Sequence, residues 1–202
     1  VNGLRCWPST PRYEQLVEGE QLKAEQINLE SWWTPWKDVE QRTLVNGRDF
    51  HQVVLGISLG ALPFVCRELV AANPAWQAMV EQIPTVQTQA FQLWLKPNVR
   101  GLGWNGPHTI LTAYDRALTD NPSHAPPFST WGDMSHLVPR EVWPPDEYPG
   151  SIAYFCGPMR TPDTMPPPGD RAYPGAEHEA VKEGARAWLD ARIALLWPRS
   201  TG

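Results

Sequence analysis

The chain has 202 residues, 42% of them hydrophobic, and a formal net charge of −5. This length suits one domain or a domain with a further fragment, and the composition allows a substantial core. Lys and Arg do not cluster, so we expect neither nucleic acid nor an anionic membrane as a partner. The longest apolar run, 52–66, is too short for a membrane span. Three cysteines without metal-ligand spacing, and no signal peptide, predict a reduced, cytoplasmic protein without a bound metal.

The hydrophobic periodicity predicts helices and strands in mixed order. In chain order, the expected elements are a short helix at 12–17, strands at 41–45 and 50–58, helices at 62–73 and 75–82, strands at 86–95, 109–114 and 151–156, and an amphipathic C-terminal helix whose apolar residues recur from 181 to 196 and whose N-terminus is favoured by Glu177 and Glu179. Asn46 and Gly47 predict a tight hairpin turn between the first two strands, because both tolerate positive φ. Pro198 is expected to end the last helix.

Proline crowding marks the region from 121 to 175, which holds thirteen of the 22 prolines. This density predicts long ordered loops, which we expect Trp131 and Trp143 to hold down by packing. Strands and helices do not alternate strictly, so a doubly wound sheet is not expected. The predicted fold class is α+β, with a mixed, largely antiparallel sheet, flanking helices and a long loop region rich in Pro and Trp. The strands 86–95, 109–114 and 151–156 are expected in one sheet with the C-terminal helix packed on it.

The segment Gly56-Ile57-Ser58-Leu59-Gly60 fits the G-x-S-x-G motif of serine hydrolases. A triad would need an acid and then a histidine, and Asp170 (or Asp163) followed by His178 is in the required order. The predicted hairpin ahead of Ser58 is unlike the parallel strands that precede such a nucleophile. The alternative is that the glycines only permit a tight, closely packed turn.

Two further motifs carry weaker signals. Residues 101–106, "GLGWNG", match G-x-G-x-x-G, but Pro107 and a strand-like run follow instead of the helix that a dinucleotide site requires. We therefore expect a loop between two strands. Asp133 and His136 have the spacing of two metal ligands but lack a third, which favours no metal site.

A longer pattern is carried by "DFHQVVLGISLGALPFVC" (49–66), "TVQTQAFQLWL" (85–95), "TWGDMSHLVPREVWP" (130–144) and "SIAYFCG" (151–157). These segments resemble FAD-dependent amine oxidases and carotenoid-desaturase-like oxidoreductases. In that family a short hairpin ends in a D-x-V-V-L-A-I-P-like strand, after which the chain enters the substrate domain. Asp49 and residues 53–57 match this pattern, and Ser58 stands where Pro is usual.

The resemblance implies an internal piece of such an enzyme, because the family's N-terminal G-x-G-x-x-G and C-terminal G-D segments do not match any part of this chain. It implies an irregular segment at 1–40, a hairpin and crossover of the flavin domain at 41–62, and a substrate-binding domain at 63–202. The intact parent would pass a hydride from a C–N or C–C bond of a small apolar or amine substrate to FAD. The isolated chain is expected to be inactive and to bind no FAD. Its weak candidates for cofactor contact are Ser58, Leu59 and Gly60.

Cavity walls are what this region can supply to such an enzyme. The candidates are Trp94 and Tyr114, although both also suit an ordinary core. A third possibility is a non-enzymatic domain that binds a partner through exposed aromatic residues.

Overall fold

The computed structural model describes residues 10–112, 127–159, 162 and 164–200. They divide into two compact units. The sheet unit comprises residues 10–35 and the described residues from Thr88 onward, and the helical unit is Trp36–Gln87. The helices after residue 62 lie in the same unit as the segment 36–61 that precedes them.

The sheet unit is built on four strands. They are β1 (Thr88–Leu95), β2 (Ile110–Thr112), β3 (Thr130–Asp133) and β4 (Ser151–Pro158). The strand order is β1-β4-β3-β2, and every pair is antiparallel. Among the described residues, β1 therefore has a partner on one side only. The predicted α+β class and antiparallel sheet are confirmed.

All three strands that were assigned to one sheet are found there, while β3 was missed. β3 has only four residues and lies in the proline-rich region, where its sequence Thr-Trp-Gly-Asp shows no alternation. It nevertheless joins β4 to β2 through Trp131, which pairs with Phe155 on one side and Leu111 on the other. The expected strand residues 113 and 114 lie outside the described part of the chain.

The C-terminal helix α5 (Tyr173–Leu196) packs against the sheet. Ala185, Trp188 and Leu196 are buried, and Leu189 is partly buried against the same core. The helix ends at Leu196, two residues before Pro198, because proline cannot continue a helix. The expected packing of the helix on the sheet is confirmed. No helix in the described ranges is both long and apolar enough to cross a bilayer.

Shorter helices occupy both units. They are α1 (Gly19–Ala24), which was not predicted, α2 (Leu62–Val65), α3 (Arg67–Ala72) and α4 (Pro74–Gln82). The helix expected at 62–73 is interrupted at Cys66, whose φ of −128° and ψ of 35° are not helical. Asn73 then caps α4, accepting the Ala75 N–H at 2.9 Å through its side-chain oxygen. The helix expected at 12–17 is a single 3₁₀ turn at Tyr13–Gln15.

The hairpin expected at 41–58 is wrong. Neither 41–45 nor 50–58 forms a strand, although the turn between them exists, with φ of +81° at Gly47 and a bond of 2.7 Å from its N–H to the Phe50 carbonyl. Asp49 closes the turn by accepting the Val45 N–H at 2.8 Å. A turn sets the direction of two segments, but a strand also needs a partner for its backbone groups.

The charge of Asp49 is stabilised in this turn. The hydrogen bond from Arg48, and then that from the Val45 backbone, lower the pKa of Asp49 below its ordinary value. A lowered pKa means that the turn is favoured above the unfolded-state pKa and weakened as the pH falls through the folded-state value.

Aromatic rings fill the core between α5 and the sheet. Phe91 stacks on Phe155 at 4.7 Å, and Phe155 also contacts Trp188 at 5.0 Å. Trp131 meets Trp197 edge to face at 6.0 Å, so the end of α5 is joined to β3. Such contacts between rings add to the free energy gained by burying their area.

Close backbone approaches occur at both ends of β4. A Cβ atom at Gly150 would collide with the Lys96 carbonyl, and one at Gly157 with the Pro127 carbonyl. The Gly150 N–H also donates to the Leu95 carbonyl at 2.8 Å. Glycine is required at these two positions because neighbouring backbone occupies the space of a side chain.

We predict that Trp131→Ala lowers the free energy of unfolding by about 3–5 kcal/mol, because the ring is fully buried and its loss leaves a cavity. Denaturant titration measures this change. Trp94→Ala is the control, since that ring is mainly exposed and its loss should cost well under the Trp131 value. Equal losses in the two variants would contradict the assigned core.

Candidate functional site

Ser58 does not have the geometry of a nucleophile elbow. Its φ of −62° and ψ of 145° are ordinary extended values, and residues 59–61 form a 3₁₀ turn after it. The elbow of a hydrolase is a strained turn that follows a strand, whereas 50–58 is not a strand. Among the described residues, Ser58 Oγ makes no hydrogen bond that would activate it.

The two other residues of the hypothetical triad have different local roles. Asp170 accepts the Ala172 N–H at 3.1 Å just before α5 begins. His178 is exposed in the first turns of α5. Both belong to the sheet unit, whereas Ser58 belongs to the helical unit.

Trp94, the first candidate for a cavity wall, lies on the outer face of β1. It is 56% exposed, while Phe91 and Leu93 on the opposite face of the strand pack against the core. Its backbone neighbour in β4 is Ile152. Tyr114, the second candidate, lies outside the described residues.

The G-x-G-x-x-G segment at 101–106 is a loop between β1 and β2, as predicted. Leu102 is buried in the core, and its carbonyl accepts the Arg199 N–H at 3.0 Å. The Trp104 indole donates to the Pro107 carbonyl at 3.0 Å. In the described residues the loop is followed by β2 and not by a helix whose first amide groups could meet a pyrophosphate.

FAD therefore does not fit the described residues of this chain. The loop at 101–106 is committed to packing, and Ser58, Leu59 and Gly60 precede only the four-residue helix α2. A dinucleotide site needs several backbone donors at the start of a long helix and an acid for the ribose. Neither segment offers this combination.

The buried carboxylate of Asp133 forms a polar cluster with His108 and Ser135, which the sequence did not predict. The Asp133 side chain is 0% exposed, and Oδ2 contacts His108 Nδ1. Oδ1 accepts the Ser135 N–H at 3.0 Å and the Ser135 hydroxyl at 2.5 Å. The sequence offered Asp133 with His136, but the structure pairs it with His108, which is 25 residues away along the chain. The described residues contain no group of three side chains suited to a metal.

This cluster has a structural role. The carboxylate orients the imidazole as in many acid–base pairs, but the His108 side chain is 75% exposed. The cluster ties the loop before β2 to the end of β3, and the Asp133 N–H reinforces this by donating to the Thr109 carbonyl at 3.0 Å.

A groove lies between β1 and α5, and we call it the β1–α5 groove. Its volume is about 380 Å³, within the usual range for small-molecule sites. The lining residues are Ala90, Phe91, Gln92, Leu93, His178, Val181, Lys182, Ala185, Arg186 and Leu189. The floor is apolar, and the two permanent charges among the described lining residues, on Lys182 and Arg186, are both positive.

A second hollow, of about 410 Å³, is formed within 11–30 around α1. Its lining includes Tyr13, Leu22 and Ile27. Among its described lining residues, Glu30 is the single charged one, and they contain no cluster of groups that suits catalysis.

Comparison with known proteins identified no relative: no family model, no curated protein and no solved structure matches this chain.

We predict that the purified chain is colourless and that added FAD keeps the fluorescence of free FAD. The reason is the lack of a suitable phosphate site in the described residues. Fluorescence titration and gel filtration with FAD test this. A yellow protein whose flavin spectrum survives gel filtration would contradict the prediction.

We also predict that a fluorophosphonate probe does not label Ser58, because its backbone is in an ordinary extended conformation and its side chain lacks an activating hydrogen bond within the described residues. Mass spectrometry of the treated wild type and of Ser58→Ala is the measurement. Stoichiometric labelling that disappears in Ser58→Ala would establish the hydrolase instead.

Proposed function

We propose that this chain is the substrate-domain portion of an FAD-dependent oxidoreductase of the amine-oxidase type, and that other segments of the same protein bind the FAD. The intact protein would oxidise a C–N or C–C bond. In this proposal the present chain supplies substrate-binding surface and the surface that joins the flavin-binding segments.

One observation carries the proposal: the run 53–57 has the composition of a buried strand but lies in water. Val53, Val54, Leu55 and Ile57 are all exposed, and Val54 is 93% exposed. β-branched residues are typical of strands, and exposing four large apolar side chains within five residues is unfavourable. Such a run is expected to pair with a strand from elsewhere.

The resemblance supplies a partner for this run. Asp49 and residues 53–57 resemble the strand with which the hairpin of the flavin domain ends in the amine-oxidase family. Pairing with the flavin domain would bury the apolar side chains and satisfy the backbone groups that have no ladder here. The fully antiparallel sheet with α5 on one face is compatible with a substrate-binding domain.

The test begins with the reading frame around this chain. A G-x-G-x-x-G segment upstream and a G-D segment downstream are expected, and the protein expressed from that frame should contain FAD. A frame without flavin-binding segments would contradict the proposal and favour a non-enzymatic domain that binds a partner protein.

Within that intact protein, we predict that Val54→Asp reduces FAD content at least tenfold, because it places a charge where an apolar strand must be buried. In the isolated chain the same substitution should change the free energy of unfolding by less than about 0.5 kcal/mol, because the site is exposed. Absorbance of bound flavin and denaturant titration are the two measurements.

Val17→Asp is the matched control, since Val17 is 97% exposed in the sheet unit. It should leave both the flavin content and the stability unchanged. Equal flavin content in the Val54→Asp and Val17→Asp proteins would refute the assignment of 53–57 to the flavin-domain interface.

A further inference from the structure

The β1–α5 groove runs along the open edge of β1. Successive residues of a strand point to opposite faces of the sheet, yet Ala90, Phe91, Gln92 and Leu93 all line the groove. A cavity touched from both faces must pass the edge of the strand. This edge has no partner strand in the described part of the chain.

The helix wall of the groove is divided into two stripes. Val181, Ala185 and Leu189 follow at intervals of four and form the apolar stripe that continues into the core. Residues 178, 182 and 186 follow at the same interval and form a polar stripe of His, Lys and Arg. Residues spaced by four share one face of a helix, so the polar stripe lies beside the apolar one along about 16 Å of helix.

The charge of the lining is one-sided. The chain as a whole carries a net charge of −5, but no acidic residue is among the described residues that line the groove. Lys182 pairs with Glu179 at 3.2 Å, and both side chains are largely exposed, so the pair is weak. Arg186 has no ion pair within the described ranges.

From this arrangement we infer that the β1–α5 groove binds a free long-chain carboxylate, with its hydrocarbon chain against Phe91, Leu93 and Val181 and its carboxylate at Arg186 and Lys182. Arginine pairs with carboxylates in a bidentate geometry, and the apolar stripe is unfavourable for a purely polar ligand. A cationic amine is disfavoured by the same charges.

This inference deepens the proposed function. Binding of the carboxylate does not depend on that function, but the role of the carboxylate as a substrate rests on it. If both hold, the substrate is an apolar carboxylate oxidised at a C–C bond and not an amine. Binding is measured on the chain itself, without flavin or turnover, so failure of the oxidoreductase proposal cannot be mistaken for failure of the groove.

Calorimetric titration of the wild-type chain with dodecanoate tests the inference, with dodecanol and dodecyltrimethylammonium as ligands of equal chain length. Dodecanoate should bind at one site, at least tenfold more tightly than either analogue. Equal binding of dodecanol would overturn the role of the charges, and tighter binding of the cation would overturn the carboxylate assignment.

Two variants locate the site. Lys182→Gln combined with Arg186→Gln should weaken dodecanoate binding about tenfold and leave dodecanol unchanged. Ala90→Phe should weaken both ligands by filling the groove, and the exposed strand position tolerates an aromatic residue. Arg192→Gln, on the same helix but outside the groove, is the control and should have no effect.

Circular dichroism shows whether each variant is folded. If Ala90→Phe does not fold, the double charge variant alone tests whether the groove is the binding site. Unchanged dodecanoate binding in the folded double variant would place the ligand elsewhere and refute the inference. Competition by tetraglutamate as strong as that by dodecanoate would also refute it, since the site would then recognise an acidic peptide along the strand edge.

Discussion

The contact of Trp131 with Trp197 is the interaction on which the sheet unit depends. Trp131 lies in β3, and Trp197 follows the last residue of α5, so their edge-to-face contact joins the sheet to the end of the helix. Phe155 in β4 touches Trp197 as well, at 5.7 Å. Neither indole N–H has a hydrogen-bond partner among the described residues, so the rings gain their stability from packing alone.

Sequence periodicity was sufficient to predict the elements that bury one face. The alternation in 88–95 and the helical spacing of apolar residues in α5 each predict which side meets the core, because burial of one face selects the period. The strand β3 could not be predicted in this way. It is stabilised by strand partners on both sides and by the packing of its own Trp131 in the core, and these contacts are visible only in three dimensions.

In the expected hairpin, by contrast, the local turn was predicted correctly but the strands beside it were not. Asn46-Gly47 forms its turn from local preferences alone, and Asp49 satisfies one of the backbone donors. The strands on either side would need partners that the turn does not supply, and 53–57 remains exposed. The candidate site was similarly hidden. The spacing of His178, Lys182 and Arg186 is legible in the sequence, but only the position of β1 shows that this stripe faces a groove.

The two glycines at the ends of β4 limit how this sequence can change in length. Gly150 and Gly157 must each meet a carbonyl group of another segment, and six residues separate them. An insertion or deletion of one residue between them would move a side chain into one of these contacts and would also turn the buried face of β4 outward. Length variation in this part of the sequence is therefore expected in the loops on either side of β4 and not within the strand.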